Sequence, residues 1–204
     1  MTKLFAEPRE LLPFDGSAVL YDDALDPDFA DDAFAELLAT NAWESNEVVV
    51  FGTKHAEPRL STWHALDGTT YTYSGLTRVP HPFTPLLGRL RVRCEGLANA
   101  TFNSVLVNLY RDGTDGVGWH ADDEPENGVE PVIASVSLGA TRRFDLRHRE
   151  SGHTVKVNLE HGSVVVMSGL SQHCWVHQIA KTKLTVGPRI NLTFRRVERR
   201  GSGT

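Results

Sequence analysis

Apolar residues recur at two different periods along this chain, and the change of period divides it. Between 27 and 42 they return every three or four positions. Phe29, Ala33, Phe34, Leu37 and Leu38 would form one stripe on a helix. Pro27 suits the first turn of that helix, and Asp26 suits the cap before it. Residues 83–97 read as a second helix, with Leu86, Leu87, Leu90 and Leu97 available to pack. From 101 onward the pattern shortens to strands. Candidates cover 102–110, 132–138, 142–148, 153–159, 163–168, 174–180 and 188–197, with glycines at 128, 139, 152, 162, 169 and 187 near the breaks. The first twenty residues, interrupted by Pro8 and Pro13, read as loop, and Gly201-Ser202-Gly203-Thr204 as a tail. Short strands at such spacing favour a sandwich or barrel, so the chain is expected to be mainly β with flanking helices, of the α+β class.

The last strand carries the sharpest pattern. In Pro188-Arg189-Ile190-Asn191-Leu192-Thr193-Phe194-Arg195, period two puts Arg189, Asn191, Thr193 and Arg195 on one face. Ile190, Leu192 and Phe194 take the other. A strand with two arginines beside Asn and Thr reads as the wall of a polar pocket for an anion. The planar guanidinium pairs bidentately with a carboxylate, and two of them suggest a dianion. The competing reading is an arginine ladder on a surface strand. Inward arginines without anions would carry a desolvation penalty, which favours the ligand.

A second cluster lies upstream. The strand-like run from Phe102 ends in Asn108-Leu109-Tyr110, a turn-rich stretch follows, and then Trp119-His120-Ala121-Asp122. His120 and Asp122 are two apart, so on extended backbone both side chains point the same way. A His, a carboxylate and a distant His, with open coordination positions, form the facial triad of non-haem Fe(II) oxygenases. His-x-Asp alone is weak, since His55-x-Glu57 and His148-x-Glu150 share the spacing. His177 and His173 both qualify as the distant partner. Cys174 raises a zinc alternative, but no Cys-x-x-Cys pair accompanies it.

Taken in order, Asn108 and Tyr110, then His120-x-Asp122, then His177, then Arg189-x-Asn191-x-Thr193-x-Arg195, the chain resembles the AlkB family of Fe(II)- and 2-oxoglutarate-dependent dioxygenases over roughly residues 48–197. The resemblance implies a double-stranded β-helix (jelly roll) core with an N-terminal nucleotide-recognition lid. It selects His177 over His173 and makes His120, Asp122 and His177 the iron ligands and catalytic centre. It implies that Arg189, assisted by Tyr110, pairs with the far carboxylate of 2-oxoglutarate. Arg195 and Asn108 would hold the carboxylate near the metal, and Asn191 and Thr193 would support the pocket floor. With Fe(II), 2-oxoglutarate and O2, the implied reaction hydroxylates an N-methyl group, which leaves as formaldehyde.

The same resemblance reaches the substrate side. Val48 to Lys54, Glu57-Pro58-Arg59 and Tyr71-Thr72-Tyr73-Ser74-Gly75 are similar to the lid of the duplex-acting homologues. Phe51, Arg59, Tyr71, Tyr73 and Ser74 become candidate substrate contacts, together with Asp123 and Glu124. Tyr73 would stack on a flipped base opposite His120, and Phe51 would fill the gap left in the stack. Asp123 and Glu124 would accept hydrogen bonds from an exocyclic amino group. The plain alternatives are hairpin core for Phe51 and Tyr73 and a solvated turn for the acidic pair. The chain then divides into an acidic extension with one helix (1–47), lid and helix (48–100), core (101–197) and tail (198–204), within one globular domain.

Composition limits the field without choosing within it. A chain of 204 residues with 40% hydrophobic and 23% charged content suits one well-cored domain. No apolar run is long enough to span a membrane, and the start lacks a signal peptide's apolar core. Two cysteines, Cys94 and Cys174, fit a reducing compartment, so a cytoplasmic monomer is expected. The net charge of −5 is unevenly spread: residues 1–50 hold twelve acidic and two basic side chains, the remainder fourteen and nineteen. Arg142, Arg143, Arg147, His148 and Arg149 cluster, which is commonly a solvated face but permits nucleic acid. The expectation is therefore a demethylase for 1-methyladenine and 3-methylcytosine in DNA, with RNA as a second target. The rivals are the same chemistry on methylated RNA, protein or a small molecule, and a non-catalytic nucleic-acid-binding module. The contacts of Trp119 have no assignment at this level.

Overall fold

The structure is a computed structural model that describes residues 7–50, 53–66, 71–73 and 76–198, and only the backbone at 48–50, 53–55, 71–73 and 76–78. Strands β1 (Arg9–Glu10) and β2 (Ser17–Tyr21) precede helix α1 (Pro27–Thr40). Strands β3 (Glu47–Val50), β4 (Thr53–Ala56), β5 (Leu60–Ala65), β6 (Tyr71–Tyr73) and β7 (Leu76–Arg78) lead to helix α2 (Pro85–Ala98). Then come β8 (Ser104–Tyr110), β9 (Val117–His120), β10 (Ile133–Gly139), β11 (Arg142–His148), β12 (Thr154–Leu159) and β13 (Val164–Ser168). A single helical turn, α3 (Ser171–Cys174), runs into β14 (Trp175–Ile179), and β15 (Arg189–Arg195) ends the order.

Both long helices start where their sequences allow. The Asp26 carboxylate accepts from the N–H groups of Asp28 and Phe29, and Pro27 fills the first position, where no hydrogen bond is lost. Thr84 and Pro85 do the same for α2, with the Thr84 hydroxyl accepting from Leu87 N–H. Helix α1 buries Ala30, Ala33 and Leu37, while Leu38, expected in the stripe, is 38% exposed. Phe29 and Phe34 are partly buried against the same core, so the expected stripe holds apart from Leu38 at its edge, and Ala30 joins it. In α2 Leu86, Leu87 and Leu90 are buried as expected, and Cys94 joins them.

Two antiparallel sheets face each other as a jelly roll. The larger runs β1-β2-β13-β10-β15-β8-β5, the smaller β12-β11-β14-β9. One core lies between the helices and the large sheet, where Val105, Val107, Leu109, Ile190, Leu192 and Phe194 meet the helices. A second, with Leu20, Phe144, Leu146 and Trp175, lies between the sheets. Strand β15 is buried along its whole length because both its faces are covered: the apolar one by helices, the polar one by the small sheet. At the turn after β10, Gly139 has φ +85°, and a Cβ there would lie 2.5 Å from the Phe34 ring, so only glycine fits.

The N-terminal segment corrects the reading of the first twenty residues as loop. Strand β2 pairs with β13 from Ser17–Ser168 to Tyr21–Val164, and Ala18 and Leu20 are fully buried. Its five residues alternate correctly, but so short a run between Gly16 and Asp22 gives little periodic signal. Its partner lies far away in the chain.

Candidate metal and anion pocket

Strand pairing brings the metal-type residues together. His120 closes β9 and lies directly opposite His177 on β14. With side chains on the same face of the small sheet, their ring centroids are 4.4 Å apart. Strand β9 ends at His120, and Asp122 follows in irregular backbone, yet its carboxylate turns back to the pair. One ligand-type atom from each of His120, Asp122 and His177 lies within 4.8 Å of the others. His173, the rival for the third position, sits on α3 and bonds the Val129 carbonyl.

Each group is held in the form a divalent metal needs. His120 Nδ1–H donates to Gly118 O at 2.8 Å, which leaves Nε2 with the lone pair. Burial lowers the His120 pKa, and it drives His177 down to about 3 with help from His120, against the opposing pull of Asp122. Both imidazoles are therefore neutral at pH 7. Burial alone would raise the Asp122 pKa, but Arg195 foremost, then His177 and His120, pull it below the ordinary value. Arg195 Nη2 donates to Asp122 Oδ1 at 2.7 Å. The Asp122 N–H donates to Gln172 Oε1 at 2.9 Å, and the Gln172 amide in turn reaches Met167 Sδ. Two neutral imidazoles and one anchored carboxylate are the donor set of an Fe(II) facial triad, so the residues fit that metal.

The cluster opens into a cleft with about 560 Å³ of empty space, solvent at its mouth included. Its polar wall is the face of β15 expected from the sequence. Register fixes the neighbours: Arg189 lies opposite Tyr110 and Asn191 opposite Asn108 on β8. Arg189 is buried, its guanidinium 5.3 Å from the Tyr110 ring centroid, with Nη2 donating to Ser137 Oγ. Its Nε and Nη1 are buried without a hydrogen-bond acceptor among the described residues. Burial lowers its pKa to about 10, so it stays cationic at pH 7. Such a group calls for an anion, and a carboxylate of 2-oxoglutarate fits it. Asn191 bonds Ser135 Oγ, and Thr193 bonds Asn191 Oδ1, which stiffens the same wall. Apolar Leu159, Phe144 and Ile179 face it.

Two arginines occupy positions that the sequence order did not reveal. Arg195 is bound to Asp122, so the pair on β15 is not two cations awaiting one dianion; half of that charge is matched inside the protein. Arg59, expected among substrate contacts, is buried in the cleft wall, with Nε donating to Asn108 Oδ1 at 2.9 Å and Nη2 3.3 Å from the buried Glu57 carboxylate. Its place follows from the pairing of β5 with β8, where the next residue, Leu60, lies opposite Leu109. Gln172, the backbone anchor of Asp122, left no signal in the sequence.

The remaining candidates divide between the rim and the undescribed residues. Asp123 is exposed and pairs with Arg149 at 3.2 Å, and the Glu124 carboxylate accepts from Asn127 Nδ2 at 2.9 Å. Phe51 and Ser74 lie outside the described residues, and so do the side chains of Tyr71 and Tyr73 on β6. The arginine cluster after 141 also divides. Arg142 turns inward and donates to the carbonyls of Asp112, Asp115 and Ala180, and His148 is buried, while Arg143 and Arg147 face outward.

Cys174 belongs to a different group, with Asp15 and His148, whose ligand-type atoms also lie within 4.8 Å of one another. Ser151 N–H donates into His148 Nδ1 at 3.1 Å, so neutral His148 carries its proton on Nε2, facing Asp15 Oδ2 at 3.3 Å. A protonated nitrogen has no lone pair for a metal. This trio clasps the N-terminal loop to the small sheet.

Known proteins carry the same pattern. A profile of the 2OG-Fe(II) oxygenase superfamily matches residues 17–195. Alpha-ketoglutarate-dependent dioxygenase alkB homolog 3 of Mus musculus is 39% identical over 188 residues, 87% of this chain and 65% of its own length. DNA oxidative demethylase ALKBH2 of Bos taurus is 42% identical over 158 residues, 74% of this chain and 57% of its own length. The ALKBH2 of Homo sapiens is also 42% identical over 158 residues, 60% of its own length. The chain thus spans about three-fifths to two-thirds of these relatives. A solved structure of OsALKBH1 shares the fold, with a TM-score of 0.63 at 16% identity, covering 92% of this chain and 100% of that one. The chain belongs to the 2OG-Fe(II) oxygenase superfamily and, within it, to the AlkB family.

Proposed function

We propose that this chain is an Fe(II)- and 2-oxoglutarate-dependent oxidative demethylase that removes N-methyl lesions such as 1-methyladenine and 3-methylcytosine from DNA. The observation that carries the reading is the convergence of His120, Asp122 and His177 beside a buried guanidinium, Arg189, with two unpaired nitrogens. The relatives named DNA oxidative demethylase support DNA as the target.

When bound, iron with 2-oxoglutarate and O2 supplies the oxidation: succinate and CO2 leave, one oxygen atom ends on the N-methyl carbon, and the hydroxymethyl amine releases formaldehyde. The protein's own part is positioning. His120, Asp122 and His177 would hold the metal, with Gly118, Arg195 and Gln172 orienting them. Arg189 and Tyr110 would take the far carboxylate of 2-oxoglutarate. Asn108, oriented by Arg59, would serve the near one together with Arg195. Asn191 and Thr193 would support the floor, and the apolar wall keeps water from the reacting atoms. Phe51, Tyr71, Tyr73 and Ser74 remain assigned to the base, with Asp123 and Glu124 at the rim. No helix among the described residues is long and apolar enough to cross a membrane, and a cytoplasmic monomer is the working form we propose.

The test is formaldehyde release from a 3-methylcytosine oligonucleotide, single- and double-stranded in parallel, with and without Fe(II) and 2-oxoglutarate. Release that needs both cofactors supports the proposal. Succinate without formaldehyde would transfer the chemistry to another methylated target. Absence of both, with no Fe(II) binding, would leave a binding module.

A further inference from the structure

The outer face of the small sheet carries an aromatic and basic patch that the chemistry above does not use. On β11, Phe144, Leu146 and His148 point inward, which leaves Arg143 and Arg147 outside. Because His120 and His177 both turn into the cleft, Trp119 points the opposite way and is 37% exposed. Arg147 lies opposite Val176 on the intervening strand, and its guanidinium carbon is 4.3 Å from the Trp119 ring centroid. Lys156 stands on the same face, opposite Asp145. Asp145 itself is buried and held by Arg143 at 2.8 Å and by Gln178 at 3.0 Å. Arg147 and Lys156 form no ion pair among the described residues. In a chain of net charge −5, Arg147 and Lys156 make this a positive surface, with the exposed indole of Trp119 at its β9 edge.

We propose that Trp119 and Arg147 form a docking platform for an unpaired base of single-stranded DNA flanking the target nucleotide, an inference that rests on the demethylase reading. A tryptophan face accepts any base, since every base has a π-face. Arg147 on the ring holds its orientation and keeps the site cationic. Lys156, on the neighbouring strand β12, is placed for a phosphate, while the charge of Arg143 is matched by Asp145. The platform borders the cleft: Trp119 immediately precedes His120, and Arg149, just past β11, pairs with Asp123, just past Asp122. A duplex keeps its bases paired and stacked, so the platform selects single strands.

The experiment measures binding of an unmodified fluorescent twelve-residue oligothymidylate to the full chain by anisotropy, with melting temperature and Mn(II) affinity as fold controls. Trp119→Ala is expected to raise Kd about tenfold, whereas Trp119→Phe stays within about threefold of wild type. Arg147→Ala lowers the slope of log Kd against log salt by about one. These last two variants keep the test decisive should Trp119→Ala fail to fold. Wild-type affinity in folded Trp119→Ala, Trp119→Phe as weak as a non-binder, tighter binding of the matching RNA, equal binding of a duplex, or no binding by wild type would each overturn the proposal. If wild type binds through Trp119 but releases no formaldehyde from methylated oligonucleotides, the demethylase reading falls and the platform stands. If it releases formaldehyde and Trp119→Ala binds normally, the platform alone falls.

Discussion

Arg195, the last residue of β15, donates to the Asp122 carboxylate at 2.7 Å, and both side chains are buried. This pair joins the polar β15 wall of the cleft to the candidate metal ligands. It keeps Asp122 ionised in a place where burial alone would favour the neutral acid. Removing the arginine strands a buried carboxylate. Arg195→Ala should destabilise the metal-free protein by about 3–5 kcal/mol in urea denaturation. Cofactor-dependent turnover should fall by about 100-fold. A variant as stable as wild type would mean that the pair is dispensable to the fold.

Gln172 acts on Asp122 through its backbone. Its carbonyl accepts the Asp122 N–H at 2.9 Å, and the residue is fully buried. Gln172→Ala should weaken Mn(II) or Fe(II) affinity by about 10- to 100-fold with the helix and strand content unchanged. Isothermal titration calorimetry would read the change, and an unaltered metal affinity would reduce Gln172 to packing.

Arg189 is a buried cation of the cleft whose Nε and Nη1 have no acceptor among the described residues. Arg189→Met keeps the volume and removes the charge. The expected effect is a KM for 2-oxoglutarate raised by roughly 100-fold or more, read from succinate formation, because a buried charge-assisted pair is worth about 2–5 kcal/mol. Metal affinity in the absence of 2-oxoglutarate should change little. An unchanged KM would send the cosubstrate to another wall.

Glu10 gives the N-terminal hairpin a pH dependence. Burial raises its pKa, but the Ser17 hydroxyl and the N–H groups of Ala18 and Leu12 outweigh that and lower it overall. A carboxylate depressed in the folded state stabilises the fold above its unfolded pKa, near 4.3. That contribution is lost as pH falls through the lower folded value. Thermal unfolding of wild type and Glu10→Gln should therefore differ by a constant amount above about pH 5 and converge towards pH 3. A difference that persists unchanged at pH 3 would show that the ionised form contributes nothing.

Legibility in the sequence followed the strength of local pattern. The polar and apolar faces of β15 could be read because its two sides meet different surroundings, helices on one and cleft on the other. The bounds of β10 to β13 are legible within a residue or two because Gly139, Gly152, Gly162 and Gly169 stand at the breaks between or after them. Strand β2 was missed because five residues hold too few periods, and its identity as a strand depends on β13. The neighbours of Arg59 are not legible in the sequence, because its place beside Asn108 follows from the pairing of β5 with β8, which no local spacing announces. The choice of His177 over His173 rested on family likeness. In the fold it rests on geometry: one extended residue faces the cleft, and the other sits on a helical turn.

By itself the sequence determined where the helices begin, which strands alternate, and in what order the chelating and cationic groups occur. Those properties depend on neighbours within a few positions, through period, caps and backbone freedom. Only the tertiary structure decided that His120 meets His177, that Arg195 serves Asp122 while Arg189 keeps open nitrogens, and that Trp119 turns outward beneath Arg147. Each of those relations crosses between strands distant in the chain. Sheet register and burial set them, and neither is encoded in any one segment.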